Sequence, residues 1–289
     1  MTDKEKRARS DNAMLNLRRI VCYIFLVIIT VMCLFSFYIL LINSTRAHSE
    51  IAKGFTILPG GYLFKNFVSL MNNQNLPVIR GMLNSLIISG LCALLSTYFS
   101  AITAYAIHCY DFKGRNAAFT FILMIMMVPA QVSALGFVKM MREFQLLDTY
   151  WPLIVPTIAA PVTFFFMKQY MESALPLEIV EAARIDGSNE FRTYNFIVLP
   201  ILKPAIAVQA IFTFTTSWNN YFMPSLILSK KEVKTLPILI AQLRSADFLK
   251  FDMGIVYMLI SLAIFPVVIV YLFLSKYIVQ GVALGSVKG

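Results

Sequence analysis

This sequence predicts an all-α integral membrane protein with six transmembrane helices. Hydrophobic residues make up 58% of its 289 positions and charged residues 14%, far from the even balance of soluble domains. The charges are gathered into short patches, which leaves charge-free apolar runs between them. A helix of about 20 apolar residues crosses the roughly 30 Å of a bilayer's hydrocarbon, and six of these runs approach or exceed that length.

Residues 1–19 form a basic tail in which Lys4, Lys6, Arg7, Arg9, Arg18 and Arg19 favour a cytoplasmic N-terminus. Residues 20–42 form the first span, and sixteen of them are Leu, Ile, Phe or Val. That content favours insertion by at most about 5–10 kcal/mol. The run is too long for a signal-peptide core and no small-residue cleavage site closes it, so it is expected to remain as an anchor. Residues 43–82 form the longest loop, placed outside, with turn signals at Pro59-Gly60-Gly61 and from Asn72 to Asn75. The region 83–278 carries five further spans, at 83–107, 117–138, 151–167, 205–228 and 254–275. Pro129, Pro156, Pro161, Pro224 and Pro266 should kink these helices, because proline removes a donor and clashes with the preceding turn. The loops at 139–150 and 229–253 are expected outside. The segment 108–116, the charged stretch 172–200 and the tail 279–289 are expected in the cytoplasm.

Several classes of function are disfavoured. A net charge of +10 is read as topology and attraction to anionic lipid headgroups, with no nucleic-acid partner. Cys22, Cys33, Cys92 and Cys109 form no CxxC pair, and His48 and His108 lie far apart, so no metal site is expected. HExxH, GxSxG and a Gly-rich phosphate loop are all absent from the sequence. An ion-coupled secondary transporter or channel subunit is the alternative reading. It is disfavoured because such carriers keep ionisable residues inside the bundle, and the six apolar runs hold no charged residue.

The stretch 172–200 carries Glu172, Glu178, Glu181, Arg184, Asp186, Glu190 and Arg192. Each would cost about 2.5–3.5 kcal/mol at mid-bilayer, so the stretch must lie in water. Pro176 suits a helix's first turn, and Glu178 and Glu181 suit the positive end of its dipole. Ile179, Ala182, Ala183 and Asp186 fall on one small, nearly flat face at helical spacing. Gly187 can end that helix in a left-handed conformation. Ser188 can cap a second short helix through Asn195, before Pro200 leads into the fifth span.

Glu181-Ala182-Ala183, then Gly187 after three residues, then Ile197-Val198-Leu199-Pro200 after nine more, resembles the EAA signature of type I ABC importer permeases. From about residue 84 onward the chain is similar to the carbohydrate (oligosaccharide) group, which includes the maltose permeases. The resemblance implies a permease fold with a cytoplasmic coupling helix between helices 4 and 5. On that helix Glu178, Glu181, Ala182, Ala183, Asp186 and Gly187, followed by Leu199 and Pro200, would meet a separate ATPase. It also implies a non-catalytic subunit of the bacterial plasma membrane that works with a second permease, two ABC ATPase subunits and an extracellular sugar-binding protein. ATP and magnesium would be bound by the ATPase, with no cofactor in this chain. By the same resemblance the tail 280–289 would reach between the ATPase subunits, and loop 229–253 would probe the binding protein.

The fifth span contains Trp218-Asn219-Asn220-Tyr221, flanked by Phe212, Phe214 and Phe222. Aromatic faces and amides could line a sugar route, or the aromatics could anchor the helix at the interface. Asn84, Ser85, Ser89, Ser96, Thr97 and Ser100 on the second span could face that route or hydrogen-bond between helices.

Overall fold

A computed structural model describes the backbone of residues 3–73, 75–245 and 252–286, and the side chains of 15–73, 75–245 and 252–277. The side chains of Lys4, Lys6, Arg7 and Arg9, the loop residues Asp247 and Lys250, and those of the tail 280–289 lie outside the described residues. Every regular element among the described residues is helical. In chain order these are α1 (Asp3–Ser44), α2 (His48–Ala52), α3 (Leu63–Met71), α4 (Val78–Cys109), α5 (Arg115–Ile125), α6 (Ala130–Glu143) and α7 (Trp151–Ile154). A 3-10 turn (Val155–Ile158) then precedes α8 (Pro161–Ala174), α9 (Leu177–Ile185) and α10 (Glu190–Thr193). A π turn (Tyr194–Val198) leads into α11 (Leu199–Ile201), α12 (Lys203–Trp218) and α13 (Phe222–Ile227). A second 3-10 turn (Lys231–Val233), α14 (Leu236–Arg244) and α15 (Met253–Ser286) complete the order.

Four helical stretches are long and apolar enough to cross a membrane: Leu15–Ser44, Val78–Cys109, Trp151–Ala174 and Met253–Tyr277. Two further candidates are bent pairs, the second of which starts ahead of the expected span at 205–228. Arg115–Ile125 meets Ala130–Glu143 at 92°, and Glu190–Ile201 meets Lys203–Trp218 at 80°. The expected continuous helix at 117–138 is thus corrected to a broken one. Its end tightens into i→i+3 bonds at Met126, Met127 and Val128, and Pro129, extended at φ −63° and ψ 128°, starts the next helix. The expected helix at 205–228 also breaks: α12 stops at Trp218 and α13 resumes at Phe222. The fourth span begins as expected but passes through a 3-10 turn at Pro156, restarts at Pro161 and runs on to Ala174. Its added turn carries the Lys168–Glu172 ion pair.

The chain comprises two compact units. One contains residues 1–70 and 249–261. Here the buried Arg46 guanidinium donates to Asn43 Oδ1 at 3.2 Å and to the carbonyls of Glu50 and Gly54. Asn66 Nδ2 donates to the carbonyls of Ser44 and Arg46, both at 2.9 Å. Gly254 lies so close that an added Cβ would stand 2.6 Å from the Arg46 carbonyl. Residues 43–66 of the long first loop are therefore held by a network of hydrogen bonds.

The second unit contains residues 71–248 and 262–289 and is organised around α4, which packs on α8 and α12. Small residues (Ala101, Ala104) let these helices approach, and Phe164, Met167, Met171 and Leu202 fill the space between them. A separate cluster of Ile88, Cys92, Ile154, Ile227, Leu228 and Ile238 lies towards the other end of α4. Loop 229–235 is pinned there: Asn84 Nδ2 donates to the Glu232 and Lys234 carbonyls at 2.9 Å, and Leu236 N–H donates to Ser85 Oγ at 2.8 Å.

Candidate functional site

The charged stretch folds into two short helices. α9 follows Pro176, which occupies the N-cap with extended backbone instead of the first turn. The helix closes with paired bonds: Gly187 N–H to the Arg184 carbonyl and Ser188 N–H to the Ala183 carbonyl, both at 3.0 Å. With Gly187 at φ 77°, this is the left-handed C-terminal motif expected of glycine. The second helix is capped by Asn189, not Ser188: its Oδ1 accepts from Arg192 N–H at 2.8 Å. Ser188 Oγ instead accepts from the Thr193 hydroxyl at 2.9 Å. The regular helix stops at Thr193, and residues 194–198 take a π turn ahead of Pro200, which has no N–H to continue an α-helical ladder.

A nine-residue helix on a bundle must bury one stripe, and here the stripe is Val180 and Ala183, in one case part of the main core. This splits the flat face expected from spacing. Ala183 packs within its own chain, whereas Glu178, Ile179, Glu181, Ala182 and Asp186 are exposed. Ile185, which spacing did not single out, is exposed as well, with 87% of its surface free. Leu199 is half-buried and Pro200 exposed.

α9 is fastened to α4 through a polar junction. Arg184 Nε donates to Glu190 Oε1 and Tyr105 Oη donates to Glu190 Oε2, each at 2.9 Å. The Arg184 guanidinium also lies over the Tyr110 ring, 5.0 Å from its centre. The hydrogen bond to Glu190, reinforced by Tyr110, pushes the Arg184 pKa up. Nearby, Tyr194 donates to the Tyr98 carbonyl at 3.0 Å and Tyr98 donates to Asn195 Oδ1 at 3.3 Å. No sequence signal marks Tyr105, one tyrosine in an apolar run, as Glu190's partner.

The aromatic–amide run at 218–221 does not act as one surface. Trp218 is 2% exposed, stacks on Phe214 with ring centres 5.7 Å apart, and donates Nε1–H to the Ala263 carbonyl at 3.2 Å. These contacts make it part of the helix packing within this chain. Asn219 returns its amide to the Thr215 carbonyl of its own helix at 2.9 Å, and Tyr221 is exposed. Asn220 alone lines a cavity of about 280 Å³, together with Ser85, Ser89 and Ser217. The other hydroxyls of α4 are committed elsewhere: Ser96 donates to Thr163, Ser100 to the Ala160 carbonyl and Thr97 to the Ala93 carbonyl. Among the described residues no group of His, Cys, Asp or Glu is arranged to hold a metal.

Among the described residues the chain is helical, with several stretches long and apolar enough to cross a membrane and a short charged helix fastened to α4. The chain belongs to the family of binding-protein-dependent transport system inner membrane components, which matches across residues 96–284. It is 36% identical over 277 residues to the arabinooligosaccharides transport system permease protein AraQ of Bacillus subtilis (strain 168), covering 94% of this chain and 96% of that one. It is 31% identical over 255 residues to the melibiose/raffinose/stachyose import permease protein MelC of the same organism, covering 88% and 91%. The fold matches that of a chain from a bacterial ABC transporter that imports the acidic polysaccharide alginate. The TM-score is 0.77 at 22% identity, over 91% of this chain and 96% of the other.

Proposed function

We propose that this permease subunit carries a sugar, in the oligosaccharide range, and takes its driving force from a separate ABC ATPase docked on α9. The sugar cargo is supported by the relatives, which are named for arabinooligosaccharides and for melibiose, raffinose and stachyose. The coupling role is carried by one observation: α9 presents Glu178, Glu181, Ala182, Ile185 and Asp186 outward while Glu190 ties its C-terminal turn to α4. A helix exposed on one side and anchored on the other can receive a push and pass it on. Gly187 sets the angle between α9 and α10, and Leu199 and Pro200 set the bend into α12.

On this reading both termini and α9 lie in the cytoplasm, and the loops at 43–82, 139–150 and 229–253 lie outside. A second permease completes the pathway, two ATPases bind ATP and magnesium, and an extracellular binding protein delivers the sugar. ATPase closure moves α9, the bundle opens outward to accept the sugar, and hydrolysis resets it. No covalent chemistry falls to this chain. A photo-crosslinking amino acid at Ile185, activated in native membranes, should yield an adduct with an ABC ATPase. Absence of that adduct, together with sugar uptake by the chain alone in ATPase-free vesicles, overturns the proposal.

A further inference from the structure

The cavity beside Asn220 has features that helix packing does not require. Three chain interruptions converge on it: the break before α6, the 3-10 turn at Pro156 and the break after Trp218. Non-helical backbone at membrane depth is tolerated where it is buried in protein or lines a polar cavity, and transporter sites are commonly built at such discontinuities. Two of the cavity's hydroxyls, Ser89 Oγ and Thr235 Oγ1, are buried and have no hydrogen-bond partner.

Both hydroxyls stand where a local partner is ordinarily available. Elsewhere on α4, Thr97 and Thr103 donate to carbonyls one turn back, at 2.7 and 2.9 Å; Ser89 makes no such bond. Thr235 occupies the N-cap of α14, where a threonine hydroxyl normally accepts from the first turn, yet it makes no cap bond. Buried polar groups are nearly always paired, so two unpaired hydroxyls on one cavity point to a ligand that pairs them. Ser133, Ser217 and Asn220 add further polar groups, Ile88, Phe137 and Met223 supply apolar wall, and no lining residue is charged.

We propose that this cavity is a binding site in this chain for one uncharged ring of the sugar cargo, and that it rejects anionic solutes. A sugar ring matches the mixture, since its hydroxyls donate and accept while its C–H faces pack on apolar side chains. A carboxylate or phosphate would enter with no cation to offset its desolvation. The cargo class rests on the sugar-permease reading above; the site itself rests on the cavity.

The test uses the complete transporter, purified through a tag on this chain and placed in lipid nanodiscs. Cys22, Cys33, Cys92 and Cys109 are replaced by serine, and a single reporter is introduced as Ser133→Cys or, at a second wall, Ser217→Cys. Modification by a small methanethiosulfonate reagent is timed with arabinotriose or raffinose, and separately with sn-glycerol 3-phosphate or an alginate trisaccharide. The neutral sugars should slow modification at both positions several-fold, and the two anions should leave the rate unchanged. Adding Asn220→Ala should raise the half-protecting sugar concentration about tenfold, the loss of one good hydrogen bond. Equal protection by the anions, or none by the neutral sugars while an ABC ATPase still copurifies and hydrolyses ATP, sinks the site and leaves the permease assignment standing. Sugar protection in a preparation that retains no ATPase supports the site and overturns the coupling proposal.

Discussion

Gly187 shows how much one residue decides. It sits at φ 77° with no heavy atom within 4 Å of an added Cβ, so substitution there meets a backbone penalty and no clash. A β-branched residue resists this region, at a cost of about 1–2 kcal/mol, whereas asparagine visits it readily. Gly187→Val should therefore insert normally yet lose most sugar-stimulated ATP hydrolysis in nanodiscs, and Gly187→Asn should keep most of it. Equal activity for the two variants would contradict the role given to this turn. Trp218 makes the opposite case: Trp218→Phe keeps the stack but loses the bond to the Ala263 carbonyl, so stability should fall by about 1 kcal/mol with sugar preference unchanged. A shift in preference would place it on the pathway. Ser89→Ala removes an unpaired hydroxyl and should leave the ligand-free thermal midpoint unchanged or slightly higher. Gly187 was legible because a glycine at that spacing after a helix has few other uses. Trp218 was not, because spacing places a residue on a face without saying what covers that face.

Elements show where pattern reading stops. Apolar runs overlap the helices long and apolar enough to cross a membrane, but hydropathy does not register a break, and prolines mark candidates without ranking them. Pro129 and Pro161 start new helices, whereas Pro266 lies inside α15 without ending it. Loop-to-loop bonds are equally silent in sequence. Asp148 Oδ1 accepts the N–H groups of Ser229 and Lys230 at 2.5 and 2.8 Å. The bond from Lys230, outweighing the effect of burial and aided by Ser229, holds its carboxyl below the usual range. A depressed folded-state pKa contributes stability above the ordinary carboxylate pKa, and that contribution is lost as pH falls through the folded value. Asp148→Ala should therefore lower thermal stability by about 1 kcal/mol at neutral pH, a figure discounted for exposure. The gap to the parent should close on acidification, as followed by thermal unfolding at stepped pH. The junction at Glu190 is an element-level device as well. Glu190→Gln weakens both charge-assisted bonds and should leave ATPase copurification intact while sugar transport per ATP hydrolysed declines.

Over the whole molecule, the fold class and the charged helix α9 were readable because both follow from where charge is allowed to be. An apolar run must cross lipid, and a sevenfold-charged stretch cannot. What remained hidden was which polar residues meet, because Asn220, Ser89 and Thr235 come from segments far apart in the chain. The proposed topology has a direct test at this scale. In cysteine-free protein, Ile185→Cys should react with an impermeant thiol reagent only from the cytoplasmic face, and Lys230→Cys only from outside. Reversed labelling would invert the arrangement and remove α9 from any ATPase.

α4 joins the two ends of this arrangement without a proline between Val78 and Cys109. Asn84 grips the carbonyls of Glu232 and Lys234 near one end, and Tyr105 grips Glu190 near the other. At 1.5 Å per residue the two grips stand about 30 Å apart, close to a bilayer's thickness. On the proposed function such a strut links receptor and ATPase, and coupling between two binding events is reciprocal. Receptor docking outside should therefore tighten nucleotide binding inside by the same factor that nucleotide tightens the receptor, and severing either handhold should abolish both effects together.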